Sequence, residues 1–196
     1  MDSAIAYEKN AHDFLSKRDQ SNIGIQVVQD WAMSLPKGAE VLELACGGGH
    51  PITKELENAG LNLWAIDSSE TLLSEFRIRF PNIPSKCERG QEADYFNKQF
   101  DAVIAVGLLF LLPEFDQEHL IKKVSQHIRD DGRFLFTAPT QKGKWRDLNT
   151  GIECHSLGNE KYEKLLATNG FRIISKFLDK GDNNYYDAKL DTKSVN

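Results

Sequence analysis

Cysteine is scarce in this chain: Cys46, Cys87 and Cys154 are the three present, and no two of them form a C-x-x-C pair. That argues against a disulfide framework or a zinc site and fits a reducing cytoplasm, the location the sequence suggests. Long apolar runs are missing too. The longest, 102–112, falls short of a transmembrane helix and reads as strand plus loop, so no membrane partner is expected. Residues 1–5 lack the basic and apolar regions of a secretion signal. There is no basic excess: Lys and Arg number 24 against 29 Asp and Glu, a net charge of -5, which argues against a large nucleic-acid footprint without excluding one. Neither an internal repeat nor a Pro/Gly/Ser linker divides the 196 residues, a length that suits one domain with a real core.

What is present is an alternation of strand and helix signals. Residues 41–45, Val-Leu-Glu-Leu-Ala, read as a strand buried on both faces, and they run into Cys46-Gly47-Gly48-Gly49 and then a helix over 50–58. Glycines there let the backbone turn tightly and approach a ligand, while the following helix start offers free N–H groups. Residues 61–66 form a second strand ending on Asp67-Ser68-Ser69. A helix with Leu72, Leu73, Phe76 and Phe80 on one stripe follows, stopped by Pro81. Strands are expected over 83–87, 100–106 and 133–139, and a helix between the last two carries Leu120, Ile121, Val124 and Ile128 inward. Helices over 4–16 and 23–33 precede this core. Residues 141–157 lack steady periodicity and read as a long loop, of the kind that is often functional. A helix over 159–169 and two strands, 171–178 and 185–190, joined as a hairpin, complete the chain.

The strand-end acids narrow the ligand. A pyrophosphate-bearing dinucleotide wants G-x-G-x-x-G/A, but Ile52 stands at the third position and Glu43 would repel the phosphates. S-adenosylmethionine carries a cationic sulfonium and an ammonium, which a carboxylate suits. Asp67 lies at about the spacing from Glu43 at which a strand-end acid meets ribose hydroxyls, with helix capping as the alternative.

Glu43-Leu44-Ala45-Cys46-Gly47-Gly48-Gly49 resembles the first motif of class I SAM-dependent methyltransferases. The order of later landmarks strengthens the resemblance: Asp67, the Gly90 segment, Phe100-Asp101 and Gly132-Arg133-Phe134. Trp145 to Gly151, Ser156 to Gly158 and Asp182 to Tyr186 are similar to a group of small bacterial-type members of unassigned substrate. The resemblance implies an α/β, single-domain Rossmann-like fold, with a mostly parallel seven-stranded sheet, a C-terminal antiparallel β-hairpin and helices on both faces. The single domain, 1–196, would divide into a helical cover (1–36), a cofactor-binding core (37–139) and an acceptor-side loop, helix and hairpin (140–196).

By the same analogy Glu43, Ala45, Gly47 and Gly49 hold the methionine end of S-adenosylmethionine, and Asp67 takes the ribose. Ser68 and the segment Gln91, Glu92, Ala93 frame the adenine, and Val106 passes beneath the cofactor. Tyr7 or Arg18 closes the pocket or pairs with the cofactor carboxylate. Methyl transfer depends largely on positioning and electrostatics, so a catalytic base is optional. Candidates for acceptor chemistry are His155, Asp147 and Tyr185, with Trp145 as a wall or a core plug and Tyr186 beside them; no metal is implied. The expected reaction yields S-adenosylhomocysteine and a methylated acceptor, most simply a small molecule. RNA or protein acceptors, a non-catalytic SAM-binding subunit and an NAD-dependent oxidoreductase stand as rivals, and either a monomer or a homodimer is compatible.

Overall fold

In the computed structural model, residues 2–191 are described, and their central feature is a seven-stranded sheet. The chain opens with α1 (Ser3–Lys9), α2 (Ala11–Asp19) and α3 (Ile25–Met33). It continues through β1 (Glu40–Leu44), α4 (Ile52–Asn58), β2 (Asn62–Asp67), α5 (Glu70–Arg79) and β3 (Ser85–Cys87). Then come β4 (Phe100–Ala105), α6 (Glu114–His127), β5 (Ile128–Thr137), β6 (Gly143–Arg146) and β7 (Glu153–Ser156). The last elements are α7 (Asn159–Thr168), β8 (Phe171–Leu178) and β9 (Asn184–Leu190). The sheet order is β3-β2-β1-β4-β5-β9-β8, parallel through β5, with β9 antiparallel to both β5 and β8. Strand order reverses between β1 and β4, the place where α/β sheets open a crevice for ligands.

The two faces of the sheet follow from side-chain alternation. Leu42, Leu44, Val103, Phe134, Phe136 and Tyr186 face α6 and α7, meeting Leu120, Val124, Tyr162 and Leu166. Phe136 stacks on Tyr186 with ring centroids 5.0 Å apart. Val41, Leu63, Ile104 and Leu135 face the other way, onto Val28 and Trp31 of α3 and Ile52 and Leu56 of α4. A buried acid on β9 ties a helix to this sheet: Asp187 receives Arg133 Nε at 2.9 Å and Trp31 Nε1 at 3.3 Å, which joins α3 to β5 and β9. Such a pair is costly to break from one side, because the remaining charge has no solvent.

Several expected boundaries differ from those observed. The single helix over 4–16 is two helices broken at Asn10, whose φ of -109° leaves the helical region and whose side-chain amide donates to the Ala6 carbonyl at 2.8 Å. The helix after the glycines starts at Ile52, two residues late, with Pro51 as its cap. β5 begins at Ile128 rather than 133. Asp131-Gly132 forms a bulge inside the strand, where a Cβ on Gly132 would sit 2.8 Å from the Asp101 carbonyl. The loop expected over 141–157 contains a β-hairpin, β6 paired with β7 from Gly143↔Ser156 to Arg146↔Glu153. Its strands are short and mostly exposed, so they carry none of the apolar alternation that a sheet face writes into sequence.

Candidate functional site

At the carboxyl ends of β1, β2 and β4 a cavity of about 300 Å³ opens, roofed by α1 and α2 and bounded on one side by the tip of the β6–β7 hairpin. Its floor is the glycine-rich turn. Ala45 is held at φ 58° and Gly47 at φ 56°, both left-handed, so the chain leaves β1 sharply and presents backbone to the cavity. Gly48 and Gly49 have a different reason to lack side chains. A Cβ on Gly48 would stand 2.3 Å from Leu15 of α2, and one on Gly49 would stand 2.2 Å from Phe80. Gly49 is thus packed beneath an aromatic ring and, unlike Ala45, Gly47 and Gly48, does not line the cavity.

Two carboxylates define the inner end. Glu43 shares the face of β1 that meets α4 and is only 3% exposed; Thr53 Oγ1 donates to it at 2.6 Å. Burial pushes its carboxyl up to about 8 from an ordinary 4.5, opposed by the Thr53 hydrogen bond and by Arg18 across the cavity. Asp67 at the tip of β2 accepts the Gly47 N–H at 2.7 Å and the Ser69 N–H at 2.8 Å. Burial raises its carboxyl also, with those backbone donors pulling the other way. Asp67 therefore stitches the glycine turn to β2, while Ser69 caps α5 through its own hydroxyl on the Leu72 N–H.

The roof comes from the first twenty residues. Tyr7, Phe14 and Arg18 line the cavity, with Tyr7 and Phe14 edge-to-face at 5.3 Å. Arg18 Nη1 donates to Ser21 Oγ at 3.3 Å and to the Ile23 carbonyl at 3.2 Å. Its guanidinium is depressed by burial and supported by Tyr185, Asp179 and Glu43. Three polar ties hold the roof down: Asp2 on Arg89, Glu8 on Ser69 and Thr71 at the start of α5, and Asp19 on Arg79.

The outer end is built by the hairpin and by β9. Asp147 Oδ2 accepts from Thr150 N at 2.8 Å, Thr150 Oγ1 at 2.6 Å and Asn149 N at 3.2 Å, which closes the hairpin tip and aims Asp147 and Asn149 at the cavity. Tyr7 faces both; burial and the Asp147 carboxylate raise its phenol well above the ordinary range. Tyr185 donates to Asp179 at 3.1 Å, and burial together with that acid raises its phenol similarly. Val106 and Phe110 complete this side, and Trp145 packs on Phe110 at 5.6 Å from outside the cavity.

Of the residues singled out from sequence, Glu43, Ala45, Gly47, Asp67, Ser68, Val106, Arg18, Asp147 and Tyr185 line this one cavity. Gln91 lines a small adjoining cleft of about 30 Å³ with Ala45, Asp67 and Ser68. Glu92 and Ala93 instead border an outer groove beside Glu8 and Lys9. His155 is displaced most. On β7 it points to the far side of the hairpin, 3.3 Å from Glu153, where it lines a different cavity with Asp116 and Arg146. The reason is register: Asp147 sits at the hairpin tip, whereas His155 pairs with Lys144 along the strands. Tyr186 is core, stacked beneath α7. Phe14, Asn149 and Asn183 line the cavity without having been singled out. No local sequence signal marks Phe14, since its role depends on how α2 crosses the glycine turn.

A parallel sheet reversing at β1 and β4, ending in an antiparallel pair and carrying its cavity over a glycine turn, is the fold of the class I SAM-dependent methyltransferases. Solved structures agree in fold. The glycopeptide N-methyltransferase MtfA in complex with S-adenosylhomocysteine superposes with a TM-score of 0.71 at 18% identity, over 89% of this chain and 92% of that one. A SAM-dependent methyltransferase from Clostridium acetobutylicum gives 0.67 at 19% identity, over 95% and 99%. Magnesium protoporphyrin IX methyltransferase from Synechocystis, solved with bound SAM, gives 0.65 at 15%, over 94% and 80%. A family model described as a methyltransferase domain matches residues 14–176, and the chain belongs to that family. A tRNA U34 carboxymethyltransferase from Idiomarina loihiensis is 30% identical over 82 residues, 37% of this chain; the match spans a quarter of that protein's length.

Proposed function

We propose that the protein transfers a methyl group from S-adenosylmethionine to a small-molecule acceptor. The observation that carries this reading is Glu43, a carboxylate buried at the strand tip whose neighbours are a hydroxyl, a second acid and a single opposing arginine. A bound ammonium or sulfonium would compensate it, and a pyrophosphate would not. The donor supplies an activated methyl on a positively charged sulfur. In this reading Glu43 receives the ammonium of the methionine moiety and Arg18 its carboxylate. Asp67 and Ser68 take the ribose, and the cleft at Gln91 receives the adenine edge. Ala45, Gly47 and Val106 set the depth at which the sulfonium lies. The roof helices exclude water, which strengthens each of these electrostatic contacts.

An outer end closed in by the roof helices and the hairpin tip suits a small acceptor better than a polymer, and the net charge of -5 weighs the same way. RNA stands second, on the strength of the tRNA-modifying relative. Titration calorimetry with S-adenosylmethionine against NAD tests the cofactor. Transfer of labelled methyl into metabolite, RNA and protein fractions tests the acceptor, and label confined to RNA would overturn the small-molecule reading.

A further inference from the structure

The inner and outer ends of the cavity differ in how their charges are matched. Glu43 and Arg18 face each other at the inner end, and Asp67 is held by two backbone N–H groups. If S-adenosylmethionine binds as proposed above, on which this inference rests, its ammonium and carboxylate meet that acid and that base, and its ribose meets Asp67. Asp147 at the outer end is then left over. Oδ2 is anchored by two backbone N–H groups and the Thr150 hydroxyl, and no lysine, arginine or histidine among the described residues forms an ion pair with it. Tyr7 and Asn149 stand beside it, and Phe14 and Phe110 give the surrounding wall an aromatic character.

We propose that the acceptor is a small amine, its nitrogen held between the Asp147 carboxylate and the Tyr7 hydroxyl. The chemistry accounts for an acid at this position. A neutral amine nitrogen uses its lone pair to form the new N–C bond to the methyl carbon. The C–S bond breaks and its electron pair stays on sulfur, leaving a neutral thioether. One positive charge has moved from sulfur to nitrogen, and the product is the N-methylammonium. The nucleophile is the neutral amine, so an acceptor that arrives as the ammonium first gives one proton to solvent, with the Asp147 carboxylate placed to take it in transit; the methyl transfer itself then moves no proton. A fixed carboxylate beside the acceptor nitrogen meets charge as it develops there, an interaction stronger in the transition state than in the ground state. The same carboxylate repels an acceptor that is a carboxylate or phosphate. The aromatic wall favours an amine on a ring or a short apolar skeleton, with cation–π attraction adding to the hold on the methylated product.

The test is a library of small amines, each paired with the alcohol and the carboxylic acid of the same skeleton, benzylamine, benzyl alcohol and benzoate among them. Label transfer from S-adenosylmethionine is measured with the full-length protein. Binding to the complex with S-adenosylhomocysteine is followed by thermal shift, so the outcome does not rest on turnover alone. Transfer and binding should be confined to amines. The Asp147→Asn variant keeps the size of the side chain and an oxygen for the hairpin tip. It should lower kcat/KM for the best amine at least tenfold and leave the Kd for S-adenosylmethionine within twofold. Tyr7→Phe, which retains the ring on Phe14, should cost several-fold in kcat/KM. Transfer to alcohols or acids in preference to amines, transfer to no library member, or unchanged amine turnover in Asp147→Asn would each overturn the proposal. Absence of S-adenosylmethionine binding in the unmodified protein would overturn the reading beneath it instead, and calorimetry separates the two.

Discussion

The two ends of the cavity are made from different parts of the fold. The inner end is strand tip and turn. Glu43 and Asp67 project from β1 and β2, whose backbone is paired on both sides and whose side chains are core. The roof and most of the outer end are appended: two short helices held by three polar ties, and a hairpin whose strand β6 is exposed along its whole length, with Tyr185 of β9 the contribution from the sheet. In the proposed reading the rigid elements fix the cofactor in one place, and the appended ones shape the acceptor end without touching the sheet.

The largest predicted effect lies in the inner end. Gly49→Ala places a Cβ 2.2 Å from the Phe80 ring at a residue whose φ is 87°, so the variant should lose about 2–4 kcal/mol of stability in urea denaturation. A loss of under about 1 kcal/mol would mean that Phe80 swings away and that the turn is softer than the packing indicates.

Next comes Glu43→Gln, which preserves a partner for Thr53 and removes the charge. It should weaken S-adenosylmethionine about 10- to 100-fold by calorimetry, the range expected when one buried charge-assisted contact is lost. The same residue makes the unliganded protein sensitive to pH. Its folded value, about 8, lies above the ordinary 4.5, so the folded state holds the proton more tightly than the unfolded one. Stability should therefore be greatest at low pH within this window, fall as pH rises from about 5 to 8, and level off above. Asp67, raised by the same burial, adds to the fall. The melting temperature of the Glu43→Gln variant should change less across that range, and an identical slope would remove Glu43 as its source.

The smallest effect belongs to the roof. Asp19→Asn breaks the half-exposed pair with Arg79 and should change global stability by less than about 1 kcal/mol, the usual worth of a surface ion pair. Hydrogen exchange should nonetheless quicken selectively in α2, because local opening costs less than global unfolding. Equal protection of α2 and β1 in the variant would show the roof to be as firm as the sheet.

The same division explains what was legible in the sequence. The strands of the parallel core announce themselves as apolar runs, and Glu43 and Asp67 are visible because one interrupts such a run four residues before Gly47 and the other ends its run just before a capping serine. The outer end has no such grammar. β6 and β7 bury little, so their pairing leaves no periodic trace, and the tip that aims Asp147 is fixed by side-chain hydrogen bonds to the backbone of Asn149 and Thr150. His155 was a reasonable candidate by residue type, yet hairpin register turns it to the opposite side. Glycine in such a turn has two explanations, close approach to a ligand and close packing, which sequence does not separate; the structure adds the packing of Gly49 against Phe80.

The most direct test of the account is a calorimetric titration of S-adenosylmethionine into the protein at pH 7 in two buffers of different ionisation enthalpy. A Glu43 carboxyl that is largely protonated when empty and ionised against the ligand's positive charge should release close to one proton on binding. That release should be absent in Glu43→Gln. Binding without any dependence on buffer, or an unchanged release in the variant, would contradict the central role given to Glu43.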